Sequence, residues 1–592
     1  MKTMTYGQKL EALRAEMAAQ NIHVYLVPRT DEFLGESITP NAERLAWISG
    51  FTGSAGIGII LEDTACVMSD GRYTIQLTQE VDQNYFELEN SQEVTPFEWL
   101  EKQIKSDDII GFDPKLFSPA FIEKLEDKNL KLKSIDQNLI DNIWEDQPDA
   151  PVTQAFLFPN EVAGKTAAEK IEIIQNEIIE QKCDELIITQ LDSIAWLLNI
   201  RGNDISDDIA NKGNAILPVI QSYLILPREG KARWYVNPEK LSEDVKSKLL
   251  DIVSFHAFKE IEHGLYQSSN RKIWYDPKRS SDYFKQKLNT NSDALYEADD
   301  PCIFIRSQKT EPEQKAMKDA HIKDGVALVK FLKWFEENAQ NGDLDELTVE
   351  AQLEEFRKQS PDYKEPSFST IAGFGANGAI VHYRANEKTN KKIESGNFLL
   401  LDSGGHYHYG TTDITRTIPV GNVSDEMKKA YTLVLKGHIA LARAKFDPQT
   451  LGKDLDDIAR KPLLDHDMNY SHGTGHGVGC YLSVHEEAPS ISPRGEQPFK
   501  PGMILSNEPG YYKEDEFGIR IENLVLVKSE QQEFYFETIT CAPIETSCIL
   551  ESLLEEEEKK WLNQYHQSIF EKLAPFLDEN HKNWLTEKVK LI

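Results

Sequence analysis

The first half of the chain repeats itself, and this repeat restricts the possible folds more than any other feature. The segment RLAWISGFTGS (Arg44–Ser54) has a counterpart in SIAWLLNIRGN (Ser193–Asn203). Further along, IIGFDPKLFS (Ile109–Ser118) has a counterpart in KIWYDPKRSS (Lys272–Ser281). Two pairs in the same order at similar offsets favour duplication over coincidence, and a repeat of this length indicates a duplicated domain rather than a solenoid.

The pattern inside each copy is that of an α/β domain. Short apolar runs that are typical of buried strands, such as VYLVP (Val24–Pro28), alternate with helix-like segments. A chain of 592 residues is too long for one hydrophobic core. We therefore predict two tandem α/β domains, a third domain and a C-terminal helical extension, with the boundaries 1–155, 156–303, 304–548 and 549–592.

The segment from residue 549 is predicted to form two amphipathic helices. Its aromatic residues Trp561, Phe570, Phe576 and Trp584 would supply an apolar face that needs to be buried. Packing against the same chain is the preferred interpretation, and a contact with a second subunit is the alternative.

The charge of the chain limits its partners. Lys and Arg total 65 and Asp and Glu total 98, which gives a formal net charge of −33. Such a surface repels nucleic-acid phosphates and anionic lipid, so we expect neither nucleic-acid nor membrane binding. No apolar run approaches the ~18 residues of a membrane span, residues 1–17 lack the apolar core of a signal peptide, and the cysteines show no CxxC spacing. A reducing, cytoplasmic setting is the expectation.

Two histidines lie in a glycine-rich segment, HGTGHGVG (His472–Gly479). Because glycine has no side chain, the backbone can approach a ligand closely there. Taken alone, the segment could equally be a flexible surface loop that carries two histidines. The acidic residues on either side of it in the sequence decide between these interpretations.

Four carboxylates lie in or beside apolar runs of this region. Asp402 follows FLLL, Asp413 comes 11 residues later, and Glu508 follows MILSN. Glu522 lies within FGIRIENLVLV (Phe517–Val527), which is predicted to form a single strand. A carboxylate among apolar residues is costly unless it is paired or bound to a metal. Together with the glycine-flanked His476 they indicate a shared cation site, and so oxygen-rich a set favours hard ions such as Mn²⁺ or Co²⁺. Four negative charges match two divalent ions, which favours hydrolysis by a metal-activated water.

These five residues, in this order and with these flanks, resemble the metal ligands of the pita-bread metallopeptidases, which include methionine aminopeptidase, prolidase and aminopeptidase P. The segments HGTGHGVG, SVHE, NEPGYY and GIRIEN, together with FTGSAG and DGRY nearer the N-terminus, resemble the aminopeptidase P branch. The resemblance covers essentially the whole chain. It implies an α/β (α+β) protein with two tandem creatinase-like domains, a pita-bread catalytic domain and a C-terminal helical extension.

The resemblance also implies a role for each ligand. Asp402 would chelate one metal ion, and Asp413 and Glu522 would bridge both ions. His476 and Glu508 would hold the other ion, and Glu508 is in addition a candidate general base.

Three further histidines and one arginine correspond to positions of the family. His382 in GAIVHYR corresponds to a histidine near the scissile carbonyl, and His485 in SVHEE to one that stabilises the oxyanion. His472 corresponds to a histidine that contacts the substrate beside the proline pocket. Arg520 is expected to orient the carboxylates by hydrogen bonds from outside the ligand set.

The implied reaction removes any N-terminal residue that precedes proline, through a hydroxide that bridges two divalent ions. Mn²⁺ is the expected metal, with Co²⁺ or Zn²⁺ as alternatives. The implied substrates are peptides with proline in the second position, and the implied assembly is a homodimer. An Xaa–Pro bond has no N–H and a fixed ring, so a site shaped for the ring can accept a substrate on which general aminopeptidases fail.

Several alternatives accompany this interpretation. A prolidase, which cleaves only dipeptides, and a creatinase-like hydrolase are both disfavoured by the length and the duplicated domains. A non-catalytic pita-bread binding module would have lost metal ligands, whereas all five are present here. Cys480 could indicate a thiol protease, but no Cys–His spacing supports it. His406 and His408 match no ligand position and are interpreted as structural or rim residues.

Overall fold

A computed structural model describes the chain as residues 4–128, 130–206, 216–268, 270–288 and 294–592. These residues form two compact units, of which the first comprises Met1–Asn160 with Lys165–Cys302 and the second Glu161–Gly164 with Ile303–Ile592. Within the described ranges, no helix combines the length and the apolar character that crossing a membrane requires.

The first unit contains two six-stranded sheets. The strands of the first sheet are β1 (Val24–Pro28), β2 (Ile57–Leu61), β3 (Ala65–Ser69), β4 (Glu87–Asn90), β5 (Ile109–Phe112) and β6 (Lys131–Ser134). Their order is β4-β3-β2-β1-β5-β6. β1 and β3 each run antiparallel to β2, whereas the pairs β3/β4, β1/β5 and β5/β6 are parallel.

The second sheet has the same topology. Two short strands, β7 (Phe156–Leu157) and β9 (Ile200–Arg201), pair with each other in a separate two-stranded sheet. The strands of the second six-stranded sheet are β8 (Glu185–Ile188), β10 (Ser222–Pro227), β11 (Ala232–Val236), β12 (Val253–Ala257), β13 (Ile273–Tyr275) and β14 (Leu295–Glu297). The order is β12-β11-β10-β8-β13-β14. β8 and β11 run antiparallel to β10, and the remaining pairs are parallel.

Helices connect these strands. They are α1 (Tyr6–Ala19), α2 (Arg44–Ser49), α3 (Thr74–Glu80), α4 (Pro96–Gln103), α5 (Pro119–Asp127), α6 (Asn160–Ala163), α7 (Ala167–Glu180), α8 (Leu191–Leu198), α9 (Glu243–Leu249), α10 (Ile261–Ser268) and α11 (Asp282–Leu288). The segments with the repeated Ala-Trp pair form α2 and α8, and each helix ends at a left-handed residue, Gly50 (φ 87°) or Asn199 (φ 49°). Glycine and asparagine are the residues that adopt this conformation most readily.

The second echoed segment is also equivalent in the two sheets. Asp113 follows β5 and accepts the backbone N–H of Lys115 at 3.0 Å, and Asp276 follows β13 and accepts the backbone N–H of Lys278 at 2.9 Å. The predicted duplication of one α/β fold is therefore confirmed. The boundary between the copies stays a prediction, because both copies belong to one compact unit.

The second unit contains the longest helix of the described chain. Its helices are α12 (Pro301–Ser307), α13 (Glu311–Asn338), α14 (Glu346–Arg357), α15 (Asp425–Ala442), α16 (Gly452–Leu464), α17 (Glu556–Leu573) and α18 (Glu579–Lys588). α13 begins with a reciprocal cap between Thr310 and Glu313, and Pro312 lies in its first turn. Proline is tolerated there because its missing N–H would have had no helical partner.

The strands of the second unit form four sheets. They are β15 (Tyr363–Pro366), β16 (Ile371–Phe374), β17 (Asn397–Ser403), β18 (Gly405–Tyr407), β19 (Gly410–Thr411), β20 (Ile414–Val420), β21 (Lys445–Phe446), β22 (Gly475–Gly477), β23 (Glu486–Ile491), β24 (Ile504–Asn507), β25 (Gly510–Lys513), β26 (Phe517–Arg520), β27 (Asn523–Glu530) and β28 (Glu533–Thr538). The sheet orders are β16-β17-β20, β21-β28-β27-β24-β22-β23, β15-β18-β19 and β25-β26. The predicted ligands lie at or beside the ends of β17, β20, β22, β24 and β27.

The last two helices pack against the core of the second unit. Leu562, Ile569 and Leu585 are buried in a cluster with α15, and Trp561, Phe570 and Trp584 are partly buried against it. The expectation that Phe576 is buried was wrong, because its side chain is 63% exposed. It lies in a short 3₁₀ turn between the two helices, outside the apolar faces that the helices present.

Candidate metal centre

Acidic side chains converge on the imidazole of His476. Asp413, His476 and Glu522 each offer a potential ligand atom, and these atoms lie within 4.8 Å of one another. His476 Nε2 is 3.4 Å from Asp413 Oδ2 and 3.5 Å from Glu508 Oε1. Four of the five predicted ligands therefore meet at one point.

Backbone contacts aim the His476 ring at the carboxylates. Its Nδ1–H donates to the backbone oxygen of Gly477 at 3.0 Å, which leaves Nε2 on the side of the acids. The backbone N–H of His476 donates to Ser506 Oγ at 2.9 Å, and that hydroxyl donates to Glu508 Oε1 at 3.3 Å. A Cβ on Gly475 would lie 2.0 Å from the backbone oxygen of Ser506, so glycine is required there for the close approach of β22 to β24.

The fifth residue, Asp402, is held by Arg520. Arg520 donates to Asp402 Oδ2 from Nη2 at 2.6 Å and from Nε at 3.2 Å. In the antiparallel register Asp402 faces Thr415, two residues after Asp413. Thr415 Oγ1 in turn accepts a hydrogen bond from Arg520 Nε at 3.3 Å and donates to Glu522 Oε2 at 2.8 Å.

The electrostatics of the cluster favour a bound cation. Burial, and then the neighbouring carboxylates, hold the pKa of Glu522 well above its usual range. Burial also raises the pKa of Glu508 to about 7 and that of Asp402 above its ordinary value, although His476 and Arg520 oppose these shifts. For His476, burial lowers the pKa, but Asp413 and Glu508 outweigh it and raise the value to about 9.

The donor set also fits divalent metal ions. Asp402 Oδ1 is buried and has no hydrogen-bond partner, and a buried carboxylate oxygen without a partner is costly. Carboxylate oxygens with one imidazole suit hard or intermediate divalent ions. A shared cation would satisfy the orphaned oxygen and remove the repulsion among the acids.

Comparison with known proteins gives the family. The model of metallopeptidase family M24 matches residues 315–529, and the C-terminal region of this peptidase matches residues 533–592. Two creatinase/prolidase N-terminal domain models match residues 9–143 and 146–313. A probable Xaa-Pro aminopeptidase P from Paracoccidioides brasiliensis is 36% identical over the full length of both chains.

The chain belongs to the Xaa-Pro aminopeptidase P branch of metallopeptidase family M24. An X-prolyl aminopeptidase from Caenorhabditis elegans, described as a cytosolic enzyme with a di-nuclear active site, matches with a TM-score of 0.92 and 31% identity over all of both chains. An Xaa-Pro dipeptidase from Bacillus anthracis matches with a TM-score of 0.52 and 26% identity, covering 64% of this chain and 99% of its own. The predicted fold, with two creatinase-like domains, the M24 domain and a helical C-terminal region, is confirmed.

His472 lies beside the cluster of candidate metal ligands rather than in it. Its Nδ1–H donates to the backbone oxygen of Gly473 at 2.7 Å, so Nε2 accepts from the hydroxyl of Tyr512 at 2.8 Å. Burial, and then the charge of Arg520, lowers the pKa of His472 to about 3. The ring is therefore neutral, and Tyr512, which also accepts from Arg520 Nη1 at 2.6 Å, links it to Asp402.

The other two predicted histidines lie at the edge of the cluster. The ring of His485 is exposed, and its centroid is 4.5 Å from that of His476 in an edge-to-face arrangement. The next residue, Glu486, is buried against Lys309 and Arg306, which anchors the His485 segment. His382 is half-buried in a turn that follows β16, and the backbone oxygen of the residue before it, Val381, accepts from Arg520 Nη2 at 3.4 Å.

The residues that were interpreted as structural lie elsewhere. His406 is fully buried, with Nδ1 3.1 Å from Thr411 Oγ1, and His408 Nδ1 is 3.5 Å from Asp362 Oδ1. Cys480 is buried and donates to the backbone oxygen of Tyr409 at 3.1 Å.

A network under the HGTGHGVG segment was missed at the sequence level. Thr474 Oγ1 donates to Asp456 Oδ1 at 2.5 Å, and the Asp456 carboxylate also accepts from Arg460 Nε at 2.6 Å. Arg460 donates from Nη2 to the backbone oxygen of His472 at 2.6 Å, while Glu508 N–H donates to the backbone oxygen of Thr474 at 2.8 Å. The only available signal was an Asp and an Arg four residues apart on one helix, which does not indicate the loop that they hold.

Proposed function

We propose that the protein is a metal-dependent aminopeptidase that hydrolyses the bond between any N-terminal residue and a following proline. The observation that carries this proposal is the convergence of Asp413, Glu508 and Glu522 on His476, with more negative charge than the neighbouring side chains neutralise. The relatives that match the full length of the chain bear the same activity in their names.

Two divalent ions would be held by the five predicted ligands. In this proposal Asp402 binds one ion, His476 and Glu508 bind the other, and Asp413 and Glu522 bind both. When bound, the two ions would activate a water molecule to hydroxide as the nucleophile and would polarise the scissile carbonyl. Mn²⁺ is the proposed metal because the donor set is rich in oxygen, with Co²⁺ or Zn²⁺ as alternatives.

The chain's own residues place the substrate and move protons. Glu508, whose Oε1 lies 3.5 Å from His476 Nε2, is the proposed general base, since a carboxylate within reach of the attacking water can accept its proton. His485 and His382 lie at the edge of the site, where each can donate to the carbonyl oxygen as it gains negative charge. His472, held neutral by its burial and by the charge of Arg520, forms one wall of the proposed proline pocket.

The setting and the assembly are also proposals. The chain acts on peptides with proline in the second position, in the cytoplasm, as a homodimer. The proposed catalytic domain spans residues 304–548, with 549–592 as its helical extension and 1–155 and 156–303 as the creatinase-like domains. Cytosolic location is supported by the description of the Caenorhabditis elegans enzyme.

Hydrolysis of three peptides tests the function. Arg-Pro-Pro, Arg-Ala-Ala and Ala-Pro are incubated with the full chain, once with Mn²⁺ and once with a chelator. We expect metal-dependent release of arginine from Arg-Pro-Pro and none from Arg-Ala-Ala. Cleavage of Ala-Pro alone would assign the chain to the prolidases instead. No cleavage despite bound metal would contradict the proposal and favour a creatinase-like hydrolase or a non-catalytic protein.

A further inference from the structure

Arg416 is a buried guanidinium whose acceptors are all uncharged. It lies on β20 and is 4% exposed. Its hydrogen-bond acceptors are the backbone oxygens of Thr415 (2.9 Å), Glu522 (2.7 Å), Pro543 (2.8 Å) and Ala542 (2.7 Å), together with Asn523 Oδ1 (2.9 Å) and Tyr565 Oη (3.1 Å). Burying a cation without a carboxylate is costly unless its hydrogen bonds are well made. These oxygens, including that of Glu522, are therefore held tightly in place.

A buried histidine joins the two strands that carry Glu508 and Glu522. Asn507 precedes Glu508, Asn523 follows Glu522, and the two asparagines face each other in the β24/β27 ladder. His438 on α15 donates from Nδ1 to the backbone oxygen of Asn507 at 3.1 Å and accepts from Asn523 Nδ2 at 3.0 Å. Asn507 Nδ2 donates back to the oxygen of His438 at 2.9 Å. One imidazole thus contacts the neighbours of both carboxylates, through the backbone of Asn507 beside Glu508 and through the side chain of Asn523 beside Glu522.

Helix α17 supplies a residue, Tyr565, that contacts both Arg416 and Asn523. Tyr565 Oη shares its single proton between Asn523 Oδ1 at 3.1 Å and the backbone oxygen of Ala542 at 2.9 Å, and it accepts from Arg416 Nη2 at 3.1 Å. Trp561, one turn earlier, stacks on Tyr565 with centroids 5.3 Å apart and meets His438 edge-on at 6.0 Å. The two aromatic rings exclude water from hydrogen bonds that would otherwise weaken.

We propose that Tyr565 is a positioning residue for the metal centre, acting through Arg416, Asn523 and His438 on the backbone beside Glu522 and Glu508. The inference rests on the proposed function, since it concerns the ligands of that same site. In this proposal, the C-terminal helical region helps to position the metal ligands in addition to packing against the core. Partners outside a ligand set commonly change metal affinity by about 10–100-fold.

The test compares two substitutions that each delete one buried hydroxyl. Tyr565→Phe removes the contact to Asn523 and keeps the ring. Tyr431→Phe is the matched control, because Tyr431 is 1% exposed in the same core and donates to the backbone oxygen of Glu545 at 2.8 Å. Mn²⁺ binding to each metal-free, full-length protein is measured by titration calorimetry. Thermal unfolding, kcat and KM for Arg-Pro-Pro are measured on the same samples.

We expect Tyr565→Phe to weaken Mn²⁺ binding about 10-fold and to lower kcat with little change in KM. Tyr431→Phe should keep the wild-type affinity for Mn²⁺, while both variants lose similar amounts of thermal stability. Equal Mn²⁺ affinities in the two variants would overturn the positioning role. If the wild-type protein binds Mn²⁺ but does not cleave Arg-Pro-Pro, the proposed function fails, and the difference in affinity still supports or overturns the role of Tyr565.

Discussion

Buried carboxylates of the second creatinase-like repeat and those of the candidate metal centre are neutralised in different ways. In the second creatinase-like repeat, Glu185 is fully buried and contacts Arg233 at 2.5 Å as well as Arg271 and the hydroxyl of Ser268. In the same repeat, Asp204 is fully buried and pairs with Lys240 at 2.6 Å. Each of these acids therefore forms an ion pair with a Lys or Arg side chain of the same repeat.

The acids of the metal centre face one another instead. Asp413, Glu508 and Glu522 surround a single imidazole, and Arg520 contacts Asp402. Burial alone does not separate the two groups, because all of these side chains lie in well-packed regions. The difference lies in their partners: a structural acid is matched by a side chain, and a site acid is matched by what the site binds. Substitution should therefore affect the two groups in opposite ways.

The largest expected effect comes from Glu522→Gln compared with Glu185→Gln. Glu522→Gln removes one negative charge from a repelling set, so kcat/KM should fall more than about 100-fold while the metal-free protein keeps or gains stability. Glu185→Gln leaves two arginines without a charged partner and should cost about 3 kcal/mol of unfolding free energy, with the activity of the folded enzyme unchanged. Urea unfolding and steady-state kinetics measure both quantities.

Two outcomes would contradict the expected difference between Glu522→Gln and Glu185→Gln. Wild-type turnover from Glu522→Gln would remove Glu522 from the proposed ligands. A destabilisation of the metal-free Glu522→Gln protein as large as that of Glu185→Gln would show that both acids are structural.

Adding metal should stabilise the region around the acids of the metal centre and leave the region around Glu185 unchanged. Mn²⁺ at 100 times its dissociation constant should stabilise the folded protein by about 2.7 kcal/mol for each ion bound. Hydrogen exchange should slow in peptides that contain His476 and Glu522 and stay unchanged around Glu185. The Glu522→Gln variant serves as the control, and a chelator should reverse the effect. Equal protection of the Glu185 region would contradict the comparison.

The sequence singles out the candidate ligands, for a physical reason that applies to each one separately. Asp402, Glu508 and Glu522 stand out because a charged residue next to an apolar run has to be explained locally. Arg416, Tyr512 and Tyr565 carry no such signal. Their roles depend on contacts between residues far apart in the chain, such as Arg416 with Tyr565, and sequence patterns do not show these contacts.

One local prediction also differs from the structure. The run FGIRIENLVLV was predicted as a single strand, whereas the structure divides it into β26 and β27 with Ile521 and Glu522 between them. The run contains no proline, and its one glycine, Gly518, lies inside β26 rather than at the division. The division follows from tertiary pairing, because β26 pairs with β25 and β27 pairs with β24 and β28.

The pH dependence of stability should differ between the metal-free and metal-bound proteins. Glu508 has its pKa raised from 4.5 to about 7 in the folded, metal-free protein, so the folded state binds this proton more tightly than the unfolded state. Its contribution is therefore fully present below pH 4.5 and is lost as the pH rises to about 7. Because Glu508 is 17% exposed, we expect a loss of roughly 1–2 kcal/mol, less than the full shift would give.

Saturating Mn²⁺ should reverse this trend, since the metal competes with protons for the same oxygens and binds more tightly as the pH rises. Chemical unfolding at pH 5 and pH 7, with and without Mn²⁺, measures the two slopes. A metal-free protein that gains stability over this range would contradict the proposed crowding of acids.

Cys480 should show the smallest effect, and it extends the comparison to a residue that adjoins the metal centre in sequence. Its thiol is buried and donates to the backbone oxygen of Tyr409, as a structural group does. In Cys480→Ser the hydroxyl can donate to the same oxygen and is not left unpaired, so the stability should change by less than about 1.5 kcal/mol and kcat/KM should stay at the wild-type value. Burial also predicts slow alkylation by iodoacetamide in the folded protein. A loss of activity as large as that of Glu522→Gln would instead support a thiol nucleophile. It would also show that catalytic residues of this chain are recognised by their closeness to the HGTGHGVG segment and not by the partners of their side chains.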